Sequence, residues 1–219
     1  MEKDEERLRD YARDRFNNNL GFGVFSGDGE FEIPHIRPEK WKGIPFIPFT
    51  EANQCKDRMN TGIHFFMDDY RFDRVWHFLK RYVEMFGQFG AVMTPDWSLY
   101  ADWPLAVQVW NHYRKHYVGA VLQDASVTVY PTIAWSDERS YDWCFDGEPV
   151  GGTVAVSSVG TQKSPDAKLL FLSGYEEMIR RLKPETVIFY GDVPPECDGA
   201  GVVKLEQFQK RFDKRRGKK

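Results

Sequence analysis

Ile63-His64-Phe65-Phe66-Met67-Asp68-Asp69-Tyr70 and Ala91-Val92-Met93-Thr94-Pro95-Asp96-Trp97-Ser98-Leu99-Tyr100 share one design. A short unbroken apolar run passes straight into carboxylates and aromatic rings. Such a run, too short for a helix and not alternating, is what a strand buried on both faces requires. Carboxylates placed just after buried strands sit where α/β proteins commonly carry their chemistry.

Working outward, the same pattern repeats. The first strand is followed by a helix expected over about 72–88, with Phe72, Val75, Trp76, Leu79, Val83 and Phe86 at helical spacing. After the second strand, Pro104 suits the first turn of a long helix, which Gly119 is expected to bend or divide. A third strand covers 127–134, and a helix capped near Ser136-Asp137-Glu138 runs to about Phe145. Strands at 153–157, 186–190 and 202–205 follow, with a helix at about 166–182 between the first two. Strand and helix alternate, so the fold class is α/β with a mostly parallel sheet. An irregular or incomplete TIM-like barrel is the expected form, and an open doubly wound sheet is the alternative.

The 63–209 core is flanked by three other stretches. Residues 1–16 read as a charged helix or arm. Residues 17–62 read as an irregular wrapping segment with short strands. Its Ile44-Pro45-Phe46-Ile47-Pro48-Phe49 has prolines that confine it to a sheet edge. Residues 210–219 form a basic tail.

The 219 residues are 42% hydrophobic and 16% aromatic, which supports a sizeable core and argues against disorder. A net charge of -3 gives no global pull towards nucleic acid or membrane. No apolar run reaches the length of a membrane span, and the charged N-terminus lacks a signal-peptide core, so no membrane association and a cytoplasmic location are expected. Cys55, Cys144 and Cys197 are widely spaced and read as reduced thiols, Cys144 as a core thiol.

The candidate catalytic residues are Asp68, Asp96 and Asp137, which a parallel sheet would bring to one rim. Two close carboxylates can split their pKa values into an acid and a base, and several can hold a divalent metal such as Mg²⁺. The plainer reading is structural: Asp137 as a helix cap, Asp69 paired with Arg71 or Arg74. Candidate binding residues are Tyr70, Trp97, Tyr100 and Trp135, whose rings suit a sugar or nucleobase, or simply pack the loops. Asn111 on the second helix, Ser157 in the loop 157–161 and Tyr190 at a strand end complete the set. His112 and His116, four apart on one helix, have the spacing of a shared metal, but Tyr113-Arg114-Lys115 between them reads as a solvated face.

His64-Phe65-Phe66-Met67-Asp68-Asp69-Tyr70-Arg71-Phe72, Pro95-Asp96-Trp97-Ser98-Leu99-Tyr100, Trp135-Ser136-Asp137-Glu138, Cys144-Phe145-Asp146-Gly147 and Val154-Ala155-Val156-Ser157-Ser158-Val159-Gly160-Thr161 together resemble an uncharacterised domain family of bacteriophages and other mobile elements. The resemblance covers roughly residues 45–205 and implies a prokaryotic or viral origin. It carries no activity with it. One departure is Thr161, where similar sequences often have Cys, so no thiol role transfers. Two functions stand as expectations. One is an enzyme acting on a nucleotide, nucleic acid or glycosidic bond through the acidic and aromatic rim. The other is a noncatalytic binder that sequesters a host protein or nucleotide.

Overall fold

The computed structural model describes residues 22–199 and 201–205. The expected N-terminal helix over 1–16 and the basic tail lie outside these residues.

A small antiparallel pair, β1 (Gly27–Asp28) with β2 (Ile33–Pro34), precedes the main strands. β3 (Phe46–Pro48), β4 (Gly62–His64), β5 (Ala91–Met93) and β6 (Val129–Tyr130) form one parallel sheet in chain order. β7 (Thr153–Ser157), β8 (Thr186–Tyr190) and β9 (Val202–Leu205) form a second parallel sheet, also in chain order. A parallel bridge between Thr132 and Ala155 joins the two. Every neighbour is therefore the next strand in sequence. The described strands thus make two parallel sheets that alternate with helices. No strand pair among the described residues closes β9 onto β3.

Among the described residues β3 pairs only with β4, the edge position its prolines require. The strands are shorter than the apolar runs that announce them. β4 stops at His64, although Phe65 and Phe66 remain buried. β6 ends before Pro131, which has no N–H to donate. One core cluster collects Phe46, Ala91, Met93, Tyr130, Ala155 and Ile188 from five strands, so these strands share an inner face. Fully burying the larger of these, such as Phe46, Met93 and Ile188, contributes roughly 1.5–3 kcal/mol each.

The helix expected over 72–88 is broken. α1 (Arg74–His77) and α2 (Leu79–Phe86) are separated by Phe78, whose φ of -129° and ψ of 40° are not helical. α3 (Leu105–Asp124) is continuous through Gly119, contrary to the expected bend. The glycine serves packing instead. A Cβ there would stand 2.8 Å from Ile36 Cδ1 and 3.0 Å from Thr94 Cγ2, so its absence lets the helix lie close to the end of β5. The stretch from Glu138 to Asp142 is a 3₁₀ helix rather than an α-helix reaching Phe145. α4 (Pro165–Leu182) is capped by Ser164 Oγ, which accepts from Ala167 N.

The segment before β3 is stitched to the core by its backbone. Arg37 N donates to Gln123 Oε1 at 2.8 Å, Gln123 Nε2 returns to Arg37 O at 2.9 Å, and Thr153 N donates to Glu39 O at 2.8 Å. No helix among the described residues is long and apolar enough to cross a membrane.

Candidate functional site

The loop after β5 carries Asp96, and four neighbouring side chains fix its shape. Asn111 Nδ2 donates to Ser98 O at 2.7 Å. Ser98 N and Ser98 Oγ donate to the two Asp69 oxygens at 3.1 and 2.9 Å. Trp97 Nε1 donates to Asp73 Oδ1 at 3.2 Å, and the Arg114 guanidinium, itself bonded to Asp73, covers the Trp97 ring at 4.1 Å. The loop is thus held from both sides by side chains of α3 and of the turn after β4.

Asp96 is half-buried and has no hydrogen-bond or ion-pair partner among the described residues. Burial pushes its carboxyl up, the nearby Asp69 charge adds to this, and Lys115 opposes it. The balance lies at about 7. It lines a cleft of about 550 Å³ whose walls come from 97–100, Ile133–Ser136, Ser157, the 159–161 turn, and Ala167, Leu170 and Phe171 of α4. Five of the residues singled out in the sequence meet here: Asp96, Trp97, Tyr100, Trp135 and Ser157.

They do not contribute equally. Trp97 is only 2% exposed and its ring is engaged by Asp73 and Arg114, so it shapes the wall and offers no stacking face. Tyr100 is 54% exposed and leans edge-on against Trp103. Trp135 lies against Phe171 and donates to Leu170 O at 3.3 Å. That position exists because residue 174 is glycine: a Cβ there would stand 2.1 Å from Trp135 Nε1.

The other candidates stand elsewhere. Asp68 is exposed on the surface with Arg71 Nε 3.9 Å away. Tyr70 is 76% exposed beside Arg71. Asp137 caps the 3₁₀ helix by accepting from Arg139 N, and its side chain is forked onto Arg139, whose bonds hold it below the usual carboxylate range. It lines a second, adjoining cleft of about 380 Å³ that shares Ser136 with the first. Tyr190 stacks on Phe66 at 4.9 Å. Asn111 is buried and positions the Asp96 loop. Asp68, Asp96 and Asp137 therefore do not converge. Asp69, bonded into the Asp96 loop, is the carboxylate that acts on Asp96.

α3 also carries part of a buried polar cluster that the sequence hides. Lys115 is buried, not solvated as expected. Its ammonium donates to Thr132 O at 2.8 Å and to Glu148 Oε1 at 2.6 Å. His112 and His116 are buried beside it. Gly147, at φ +71°, brings the chain so close that a Cβ would stand 2.8 Å from His116 Nδ1, and this delivers Glu148 to the cluster. Burial works to raise the Glu148 carboxyl, but Lys115 and His116 outweigh it and hold it below its ordinary value. Burial, helped by Lys115, pushes both imidazoles below theirs. The signal available in sequence was the nearly unbroken run Tyr117-Val118-Gly119-Ala120-Val121-Leu122. It marks a helix buried all round, so the polar residues just before it are buried too.

Fold and site define a parallel α/β protein, wound in chain order, with a cleft at the strand ends beside an uncompensated carboxyl. The chain belongs to the family described as Domain of unknown function (DUF4417), whose model matches residues 25–209. It is 37% identical over 200 residues to the "Gene 1 protein" of Mycobacterium phage L5, covering 88% of this chain and 85% of that protein. It is 34% identical over 195 residues to the "Gene 1 protein" of Mycobacterium phage D29, covering 88% and 72%. The expected kinship with a phage family is thereby established. No solved structure matches.

Proposed function

We propose that this phage-family protein is an enzyme that acts on a nucleotide, nucleic acid or glycosidic bond, with Asp96 as its proton donor. The observation that carries this reading is a carboxyl with no partner, raised to about 7, on the wall of a cleft large enough for a nucleoside or sugar unit. An acid works best when its pKa lies near the working pH. A surface aspartate titrates far lower and would be ionised there. Burial is the main reason Asp96 holds its proton, and the nearby Asp69 charge adds to it. Trp135 and Tyr100 offer aromatic edges and faces, and Ser157 a hydroxyl, on the remaining walls.

The test is a screen of nucleotides, single- and double-stranded nucleic acids and glycosides, followed by Asp96→Asn on whichever is turned over. General acid catalysis of this kind contributes about 10²–10⁴-fold, so a loss of that size is expected with an unchanged circular dichroism spectrum. Full turnover by Asp96→Asn would refute the assignment.

A second reading, a noncatalytic binder of a host protein, is favoured by one feature. Phe31, Leu105, Ala106, Val109, Trp110 and Tyr113 line an apolar depression on α3, and Leu105 and Trp110 are exposed. That reading requires partner binding that Asp96→Asn leaves intact and no chemical change in any ligand.

A further inference from the structure

His112 and His116 each commit one ring nitrogen to a backbone carbonyl. His112 Nε2 lies 3.1 Å from Asp146 O, and His116 Nδ1 lies 2.8 Å from Pro34 O. A carbonyl only accepts, so both of these nitrogens carry the hydrogen. The lone pairs are left on His112 Nδ1 and His116 Nε2. Neither has a donor to receive. His112 Nδ1 is buried without a hydrogen-bond partner among the described residues, and so is Glu148 Oε2. His116 Nε2 faces Glu148 Oε1 at 3.0 Å, an acceptor against an acceptor. A positive centre is needed between them, and a proton or a metal ion can supply it.

Three features select the metal. One donor atom from each of His112, His116 and Glu148 lies within 4.8 Å of the other two. A proton can bridge His116 and Glu148, but it leaves His112 Nδ1 unsatisfied, whereas an ion takes all three donors at once. The carbonyls on the far ring nitrogens are the partners that ligating histidines use to fix tautomer and ring orientation. We propose that His112, His116 and Glu148 form a buried site for a first-row divalent transition metal ion, for which Zn²⁺ fits the two-imidazole, one-carboxylate donor set. This stands independently of the Asp96 cleft.

Donors about 2 Å from a common ion lie no more than about 4 Å apart, so closing the site needs side-chain shifts of less than about 1 Å. Lys115 is compatible with the ion because it neutralises Glu148 Oε1, leaving Oε2 as the ligand oxygen. The side chains of His116 and Glu148 are fully buried, so an ion held there ties α3 to the 146–148 turn.

The experiment uses untagged full-length protein. Stripped with chelator and titrated with Zn²⁺, it is expected to bind one equivalent that survives gel filtration and to show a rise in thermal midpoint that saturates at that equivalence. His112→Gln retains a donor for the Asp146 carbonyl and removes the ligand nitrogen, and it is expected to lose the tight equivalent. The proposal is overturned if stripped wild type shows no saturable uptake and no midpoint shift at a hundredfold excess of Zn²⁺. It is equally overturned if folded His112→Gln binds Zn²⁺ as wild type does. Should His112→Gln fail to fold, the wild-type titration decides, with Co²⁺ uptake and its ligand-field spectrum reporting nitrogen and oxygen donors.

Discussion

Replacing Asp96 with Asn tests the electrostatic premise of the cleft without a substrate. In the folded protein the Asp96 carboxyl is raised to about 7, chiefly by burial. In the unfolded chain it titrates near 3.9. The folded state therefore holds this proton more tightly than the unfolded state. Its contribution to stability is fully present below about pH 4 and is lost as pH rises through about 7. A difference of about three pH units at about 1.4 kcal/mol each sets an upper limit of about 4 kcal/mol. Asp96 keeps some solvent access, and screening brings the expected value to roughly 1–3 kcal/mol. Asn has the same shape and cannot ionise. Urea unfolding of wild type and Asp96→Asn should give a stability difference that moves in favour of the variant by roughly 1–3 kcal/mol between pH 4 and pH 8. Every other titrating group is common to both proteins and cancels. A difference that stays constant across this range would show that Asp96 titrates as a surface carboxylate, and the proton-donor role would fall with it.

Two further changes probe the support of the site. In chelator-treated protein, Lys115→Met strips Glu148 of its ammonium partner and should cost about 3–5 kcal/mol by urea unfolding, while Lys115→Met with Glu148→Gln should recover a large part of that loss; a single-variant cost below about 1 kcal/mol would mean the pair is not buried as described. Gly174→Ala places a methyl 2.1 Å from the Trp135 indole nitrogen. Overpacking of about 1–3 kcal/mol should outweigh the helix propensity gained, with a shift in tryptophan fluorescence as the ring leaves the cleft wall, and unchanged stability and fluorescence would contradict the placement of Trp135.

The fold was largely legible because its signals are local. β7, β8 and β9 fall on the residues expected, since each is a continuous apolar run bounded by turn residues. The proline-marked segment is the edge strand β3 for the reason its prolines give. Two misreadings concern helices. Phe78, at non-helical φ and ψ, breaks the first although its neighbours keep helical spacing. Gly119 leaves α3 unbroken because the glycine answers to Ile36 and Thr94, residues distant in sequence. Of the candidate site, Asp96, Trp97, Tyr100, Trp135 and Ser157 share one cleft because each ends or follows a strand of a parallel array. Asp68 and Asp137 also follow strands, but each has an arginine within three residues that occupies it.

By itself the sequence determined the alternation of buried strands and helices, and with it the strand ends as the place where polar residues collect. Those properties follow from the burial demands of each segment on its own. Only the tertiary structure decided that Asp96 has no partner, that Asp69 and not Asp68 acts on it, and that Lys115 and Glu148 meet beside two histidines. A pKa, an ion pair or a metal-ligand set depends on the distance and burial of groups dozens of residues apart, which residue spacing along the chain does not encode.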